Sequence, residues 1–316
     1  MTHIDIVLAT YNGAAYLDDQ IESIFAQSHQ QWRLLVRDDG SSDNTGEILT
    51  RYRDRDPDRI ILLNDGDGNL GYVQNFSRLL ESSDGDYVAL CDQDDVWLPD
   101  KLALSLEKMQ DLETRHGIHM PILVFSDLKV VDEALEPIGD SFWDLQYIDP
   151  DRAKFFSRIL LQNVVTGCTA LLNRPLTDLA VPIPEEATVH DWWIALVAAA
   201  FGVIEPVRVA TVLYRQHGQN SLGVRAFRVG NFHRLALEFL RNYRRRRHII
   251  LERFDQADAF ARHFGNEMSA EERCLLERIA TLPDMNLLKR SRYAIQDKVL
   301  PRGFARALFF LLFSFR

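Results

Sequence analysis

The sequence predicts an α/β fold with a mostly parallel sheet flanked by helices, and two observations support this prediction. Short apolar stretches alternate with helical stretches through roughly the first 120 residues. In addition, several apolar stretches run directly into a polar turn. Parallel strands covered by helices on both faces produce this alternation, and their ligands bind beyond the carboxyl ends of the strands. We therefore expect the polar turns to meet at one rim of the sheet.

Each element of the first half follows from its periodicity. Four apolar stretches are predicted as strands: "IDIVLA", "WRLLV", "RIILLN" and "YVALCD". The segment after the first strand is predicted as a helix because Leu17, Ile21 and Ile24 fall on one helical face. Helices are also predicted for "TGEILTRYRDR" and "NFSRLLESS". The expected rim consists of the turns "ATYNG", "RDDGSSDNT" and "CDQDD".

The second half of the sequence is less regular. Strands are predicted for "ILVFSD", "LKVVD", "TALLN" and "VRVATVLYRQH", and helices for "DRAKFFSRILLQN" and "HDWWIALVAAAFG". Beyond Ser221 the sequence becomes helical and rich in arginine. We therefore predict an α/β domain over residues 1–222 and a basic α-helical region over residues 223–316.

Charge separates these two regions. Residues 221–316 contain 19 Lys and Arg against 10 Asp and Glu, a net charge of +9. The other residues contain 17 against 36, a net charge of −19, which together give the total of −10. An acidic body with a basic C-terminal region suggests two functions.

The composition predicts a globular protein of a reducing compartment. Hydrophobic residues make up 47% and charged residues 26% of the chain. The three cysteines are far apart, so they predict neither a disulfide framework nor a metal site. No signal peptide is expected, and the longest uncharged runs are shorter than the roughly 20 residues of a membrane span. We expect a cytoplasmic location.

Three carboxylates, Asp92, Asp94 and Asp95, follow the fourth predicted strand. Like charges at this spacing repel one another, so a cation is expected among them. Carboxylates at alternate positions suit a hard divalent cation such as Mg²⁺ or Mn²⁺, which prefers oxygen ligands. The alternative is a capping cluster, in which Asp94 or Asp95 caps a helix that begins near Leu98.

The segment "GDGNLG", residues 66–71, matches the G-x-G-x-x-G pattern of dinucleotide-binding folds. That pattern belongs to the first βα turn of its fold, whereas the first turn here reads "TYNGAAY". A glycine-rich turn accounts for the match equally well. We therefore do not predict a dinucleotide-dependent dehydrogenase.

The motifs "IVLATYNG", "VRDDGSSDNT", "NLGYVQN" and "ALCDQDDVW" stand in the order and spacing of the family 2 glycosyltransferases. The later "HDWW" and "YRQHGQN" also resemble that family, most of all its bacterial rhamnosyltransferase-like members. The resemblance covers roughly residues 3–221. It implies the GT-A fold, a nucleotide-diphosphate sugar donor and a divalent metal.

The resemblance also implies roles for individual residues. The residues implied to bind the nucleotide sugar are Ala9, Thr10, Tyr11, Asp39, Asn69, Gly71, Asn75 and Asp92. Among them, Asp39 would accept a hydrogen bond from the imide N–H of a pyrimidine base, whereas Asp38 would brace its loop. The implied metal ligands are Asp92, Asp94 and His217, and Asp191 of "HDWW" matches the catalytic base.

The implied chemistry requires these residue types. A departing diphosphate needs a Lewis acid, and in-line attack by an acceptor hydroxyl needs a base, which inverts the anomeric centre. Asp191 fits this base, and its alternative is an N-cap for the helix that follows. Trp97, Trp192 and Trp193 suit a platform for the acceptor sugar, with core packing as the alternative. His190 is interpreted as a polar neighbour rather than a catalyst.

The C-terminal region carries "RRRR" at residues 244–247 and "KRSR" at residues 289–292. It lacks a recognised nucleic-acid motif, so nucleic acid is not expected as a partner. Its last segment, "LPRGFARALFFLLFSFR", suits a helix in a lipid interface, because Arg302 and Arg306 lie beside apolar residues. The alternatives are packing on its own domain or on a second subunit of a homodimer. The lipid-linked acceptors of the family favour peripheral contact with the inner face of the plasma membrane.

These observations predict an inverting, metal-dependent glycosyltransferase that extends a bacterial surface polysaccharide such as an O-antigen. The first hypothesis for the donor is dTDP-L-rhamnose, and a UDP-hexose is the alternative because Asp39 can pair with thymine or uracil. Two alternatives belong to other classes. They are a nucleotidyl or phosphoryl transferase that uses the same aspartates, and a non-catalytic sugar-binding module.

Overall fold

The computed structural model describes residues 3–218 and 243–300, together with residues 307, 310 and 311. All nine strands of this part belong to one sheet: β1 (Ile4–Thr10), β2 (Trp32–Asp38), β3 (Ile60–Leu62), β4 (Tyr87–Cys91), β5 (Val96–Trp97), β6 (Ile122–Val131), β7 (Pro137–Gly139), β8 (Leu171–Asn173) and β9 (Val203–Arg215). The strand order is β3-β2-β1-β4-β8-β6-β9-β5, and β7 pairs with β6.

Helices flank this sheet. The bounds of the described helices are α1 (Leu17–Phe25), α2 (Thr45–Arg55), α3 (Tyr72–Ser82), α4 (Lys101–His116), α5 (Phe142–Gln146), α6 (Phe156–Ile159), α7 (Arg174–Ala180), α8 (His190–Phe201), α9 (Tyr243–Phe264), α10 (Ala270–Thr281) and α11 (Leu287–Gln296). The predicted α/β class is confirmed, and the alternation of strand and helix is regular from β1 to β4.

The sheet is mixed rather than mostly parallel. Strands β3, β2, β1 and β4 pair with one another in parallel, as predicted. Strand β8 is antiparallel to both β4 and β6, whereas β6 is parallel to β9 and β5 is antiparallel to β9. A parallel pair needs a long crossover, usually a helix, and the sequence has a regular helical pattern between strands only in its first half. The prediction therefore holds for that half.

Two elements of the second half differ from the prediction. The stretches "ILVFSD" and "LKVVD" form the single strand β6, whose register against β9 shifts next to Asp127. Asp127 does not end the strand because its carboxylate accepts hydrogen bonds from the backbone N–H groups of Leu128 and Trp143. The helix predicted for "DRAKFFSRILLQN" is instead a 3₁₀ turn at Pro150–Lys154 followed by the short helix α6.

Hydrophobic clusters cover both faces of the sheet. Alternate residues of β1 enter different clusters: Ile6 and Leu8 join one, and Val7 joins the other. The cluster that contains Val7 also contains Trp193 of α8 and Phe260 of α9. Helices α9 to α11 therefore share a core with the α/β domain.

The contacts of α9 show how this shared core is held. The rings of Trp193 and Phe260 lie 5.4 Å apart between centroids. The Arg253 side chain donates a hydrogen bond to the backbone carbonyl of Leu161 at 2.7 Å. Among the described residues, no helix combines the length and the apolar composition that crossing a bilayer requires.

Parts of the predicted membrane-binding segment lie outside the described residues, including Arg302 and Arg306, as does the predicted boundary near residue 222. Phe310 is described, and it is 1% exposed with its ring stacked on that of Phe254. For Phe310, the alternative that the segment packs on its own domain therefore applies. The run "KRSR" is not uniformly exposed either, since Arg290 is buried.

Candidate active site

The three polar turns meet at one rim of the sheet, as predicted. The pairing of β1 with β2 continues to Thr10 and Asp38, and its pairing with β4 continues to Leu8 and Cys91. The turns that follow these strands are therefore neighbours. The backbone N–H of Asp39 donates to the carbonyl of Thr10 at 2.8 Å, which joins the first turn to the second.

A clamp formed by Gln93 joins the first turn to the acidic loop after β4. Its Oε1 atom accepts from the backbone N–H of Tyr11 at 2.8 Å, and its Nε2 atom donates to the carbonyl of the same residue at 3.0 Å. A Cβ atom at Gly13 would lie 2.3 Å from Gln93 Oε1, so a larger residue there would displace this amide. Gln93 was not predicted as a residue of the rim, because a single amide between carboxylates gives no periodic or charge signal.

The second turn holds two carboxylates with different surroundings. Asp38 braces its loop, as expected, by accepting from the Thr10 hydroxyl and from the Ser41 backbone N–H at 2.9 Å each. Asp39 is 2% exposed, and its carboxylate accepts from Arg37 and from the backbone N–H groups of residues 70 and 71 at 2.8 Å each. A hydrogen bond from a nucleotide base would add to these contacts on the same carboxylate.

The loop before α3 is fixed by the second turn. The Asn69 amide donates to the backbone carbonyl of Asp39 at 2.9 Å, and Gly71 begins α3 with a φ of +77° that favours glycine. Asn75 corrects an expectation, because it is 2% exposed and exchanges 3.3 Å hydrogen bonds with the side chain and carbonyl of Arg37. It supports Arg37 and does not face a donor pocket.

The remaining residues of the first turn divide between the rim and the interior. Tyr11 is 51% exposed, so its ring is available to a ligand. Thr10 is buried and its hydroxyl is already used by Asp38, while Ala9 is half-buried. Of these three residues, only Tyr11 presents its side chain to solvent.

The acidic loop after β4 brings Asp94 next to His217. Asp94 Oδ2 lies 2.8 Å from His217 Nε2, although the two residues are 123 positions apart. Burial, with the Asp94 and Asp191 carboxylates, raises the pKa of Asp92 to about 7. Burial, with Asp94 and Asp92, raises the pKa of Asp95 well above its ordinary value.

The capping alternative for this loop is wrong. Strand β5 separates the acidic loop from α4, which begins at Lys101 with Asp100 at its N-cap position and no side-chain cap. Asp95 instead accepts from the backbone N–H of Arg215 at 3.2 Å, and its Oδ2 atom is buried without a hydrogen-bond partner. Asp94 and Asp95 therefore serve the rim and not the helix.

The donor set of this loop fits a hard divalent cation. Carboxylate oxygens suit Mg²⁺ or Mn²⁺, and a cation would offset both the burial and the neighbouring charges that raise the pKa of Asp92. Ligand atoms of Asp92, Asp95 and Cys168 also lie within 4.8 Å of one another. Burial raises the pKa of the Cys168 thiol well above its ordinary value, so this soft and neutral group is a poor ligand for a hard cation.

Asp191 reaches the same rim from the first turn of α8. It does not cap the helix, since the N-cap residue is Val189 and no side-chain cap is present. Its carboxylate accepts from Asn163 Nδ2 at 3.0 Å and from the Gly167 N–H at 2.8 Å. Burial raises the pKa of Asp191 to about 7, against the effect of these bonds. Its influence on the pKa of Asp92 shows that the two carboxylates interact.

The three tryptophans lie in the core, which corrects the expected acceptor platform. Trp97 is 2% exposed and belongs to a core cluster. Trp192 is 5% exposed, and its Nε1 atom donates to the carbonyl of Ile159 at 2.7 Å. Trp193 is fully buried. None of these rings offers a free face to a sugar, so core packing describes all three.

The chain is similar in fold to solved structures of glycosyltransferases. The chain is similar to a mannosyltransferase from Pyrobaculum calidifontis in complex with GDP-Man and Mn²⁺, with a TM-score of 0.55 and 17% identity over 93% of this chain and 73% of that one. It is also similar to TarS from S. aureus in complex with UDP-GlcNAc, with a TM-score of 0.51 and 15% identity over 95% and 93% of the two chains. The fold is therefore that of the GT-A glycosyltransferases.

The family model named Glycosyl transferase family 2 matches residues 5–177, and the chain belongs to this family of enzymes. It is 28% identical to the putative teichuronic acid biosynthesis glycosyltransferase TuaG of Bacillus subtilis over 63% of this chain and 73% of that protein. It is 25% identical to the dTDP-rhamnosyl transferase RfbG of Shigella flexneri over 75% and 81%. An uncharacterized glycosyltransferase of Nostoc is 27% identical over 69% of this chain and 66% of that protein.

The raised pKa of Asp191 predicts a pH-dependent loss of stability. An unfolded aspartic acid titrates near 3.8, whereas folded Asp191 keeps its proton up to about pH 7. The folded state therefore binds more protons in this window, and the free energy of unfolding falls as the pH rises through it. Asp191→Asn cannot titrate, so its stability relative to the wild type should rise by up to about 1.4 kcal/mol per pH unit. Chemical denaturation of both proteins between pH 4 and pH 7 measures this difference, and a constant difference would contradict the raised pKa.

Proposed function

We propose that this glycosyltransferase inverts the anomeric centre as it transfers L-rhamnose from dTDP-L-rhamnose to a saccharide acceptor of a bacterial surface polysaccharide. The observation that carries this proposal is the meeting of three groups at one rim. The acidic loop after β4 supplies Asp92 and Asp94, the start of α8 supplies Asp191, and the segment after β9 supplies His217. This arrangement supports a role in which the acidic loop faces the leaving diphosphate and Asp191 acts as a separate base.

The donor hypothesis rests on similarity to RfbG, which is described as a dTDP-rhamnosyl transferase. A UDP-hexose is the alternative, because TarS was solved with UDP-GlcNAc and a carboxylate such as Asp39 pairs with uracil and thymine alike. Asp39 fixes Asn69 and Gly71, so it would position the loop that borders the donor as well as the base. Tyr11 would add its exposed ring to this pocket.

Asp191 would act as the base of the reaction. It takes the proton of the acceptor hydroxyl as that oxygen forms a bond to the anomeric carbon, while the bond from this carbon to the diphosphate oxygen breaks. Asn163 and Gly167 hold the carboxylate by one hydrogen bond each, which fixes its orientation. A pKa near 7 leaves Asp191 basic enough to accept a proton and sufficiently ionised at neutral pH.

Asp92, Asp94 and His217 would hold the divalent cation, which stabilises the charge on the departing diphosphate when it is bound. The Mn²⁺ in the structure of the Pyrobaculum mannosyltransferase supports this assignment. Three further features stay predictions. They are contact of the basic C-terminal region with the inner face of the plasma membrane, a lipid-linked acceptor and a homodimer.

A donor screen tests the proposed function. Calorimetric titration should show binding of dTDP, and dTDP-L-rhamnose should support sugar transfer to a rhamnose- or galactose-bearing acceptor with release of dTDP. Strong binding of UDP without binding of dTDP would replace the rhamnose hypothesis by the UDP-hexose alternative. Release of inorganic pyrophosphate would instead indicate a nucleotidyl transferase.

The metal assignment predicts that Asp94→Ala nearly abolishes transfer, because a hard anionic ligand is lost. EDTA should do the same to the wild type, and added Mn²⁺ or Mg²⁺ should restore it. His217→Ala should be milder, since a water molecule can replace one neutral ligand. Asp100→Ala is the matched control, because this exposed aspartate makes no side-chain cap. Full activity of the wild type in EDTA would refute the metal role.

The base assignment predicts that Asp191→Asn hardly changes donor affinity, while kcat falls by roughly 10²–10⁴, the effect of losing a positioned general base. The values of kcat and kcat/KM should fall together, since the interaction matters in the transition state. Calorimetry and steady-state kinetics on the folded variant measure the two quantities. Turnover close to that of the wild type would remove Asp191 from the mechanism.

A further inference from the structure

Arg215 is a buried cation directly beneath the acidic loop, and the proposed reaction assigns it no role. It is the last residue of β9 and stands two positions before His217. Only 3% of its surface is exposed. A buried guanidinium must satisfy its five N–H donors within the protein, so its partners show what it holds in place.

The partners of Arg215 come from distant parts of the chain. Its Nε atom donates to the backbone carbonyl of Asp94 at 3.0 Å, and Nη1 donates to the backbone carbonyl of Glu133 at 2.8 Å. Its Nη2 atom donates to the Asp19 carboxylate at 2.7 Å. Its backbone N–H donates to Asp95 at 3.2 Å. One side chain thus joins α1 and the turn after β6 to the acidic loop.

Tyr16 extends this arrangement to His217. The Tyr16 ring lies 4.8 Å from the Arg215 guanidinium and 4.6 Å from the imidazole of His217, measured to the ring centroid in each case. Its hydroxyl donates to the Glu133 carboxylate at 2.7 Å. Arg215 is therefore linked to Asp94 through a hydrogen bond, and to His217 through the chain and the shared ring.

We propose that Arg215 is a positioning residue that sets the affinity for the divalent cation by fixing Asp94 against His217. The inference rests on the metal role in the proposed function. The planar fork of arginine makes three directed hydrogen bonds at once, which the single ammonium of lysine cannot reproduce. Groups that orient metal ligands in this way affect metal binding without touching the metal.

The test measures binding of Mn²⁺ and nucleotide without turnover. Calorimetric titration of dTDP, or of UDP if dTDP does not bind, is repeated over a series of Mn²⁺ concentrations for the wild type and Arg215→Lys. The Mn²⁺ concentration that gives half-maximal nucleotide binding should rise about 10- to 100-fold in Arg215→Lys, the usual effect of losing a partner that orients a metal ligand. An unchanged Mn²⁺ requirement in the folded variant would overturn the inference.

Arg33→Lys is the matched control. Arg33 also forms a paired hydrogen bond with a buried carboxylate, that of Asp5, but it lies at the opposite end of the sheet from the rim. Its replacement should lower the melting temperature and leave the Mn²⁺ requirement unchanged. An equal rise in the Mn²⁺ requirement of Arg33→Lys would show that lost stability causes the effect. This result would overturn the inference.

A second variant keeps the test decisive if Arg215→Lys does not fold. Tyr16→Leu removes the half-buried ring shared by Arg215 and His217 and leaves both residues in place. It should raise the Mn²⁺ requirement in the same direction, and an unchanged requirement would overturn the inference. If nucleotide binding by the wild type does not depend on Mn²⁺, the metal role itself fails, and this outcome is distinct from the others.

Discussion

Repulsion among the carboxylates at the carboxyl end of β4 is the constraint on which the site depends. Asp92 and Asp95 are held where burial and neighbouring charge both oppose ionisation, and this raises the pKa of each. The surrounding residues offset that cost only in part. Arg215 and His217 reach the loop from the far end of the chain, and Gln93 fixes its backbone. The negative charge that these residues do not compensate attracts a cation.

Burial has a different outcome in the second turn of the rim. Asp39 is buried like Asp95, yet Arg37 and two backbone N–H groups satisfy its carboxylate. It therefore acts as a support that holds the loop before α3. Asp191 lies between these cases, because two hydrogen bonds orient it while burial keeps its pKa near 7. The four carboxylates Asp92, Asp95, Asp39 and Asp191 thus show three different chemical characters.

The sequence predicted those features that depend on local periodicity or on motifs, and it failed where long-range packing decides. The strands β1 to β4 and the rim turns follow from apolar patterns. The motifs singled out Asp191 and His217, which the structure places near Asp92 and beside Asp94 respectively. The sequence left open whether Trp97 and Trp192 bind the acceptor or pack in the core, because an aromatic residue beside a polar motif looks the same in both cases. Asn75 was misassigned for a similar reason, since its partner Arg37 is distant in the sequence.

The packing of α9 against α8 has a consequence for how the molecule can be divided. Phe260 and Trp193 belong to one hydrophobic cluster, and the same helix that carries Trp193 begins with Asp191. A shortened protein that ends before α9 would expose a broad aromatic surface directly behind the proposed base. Helix α9 is therefore not a detachable appendage. Helices α9 to α11 and the α/β domain complete one core between them.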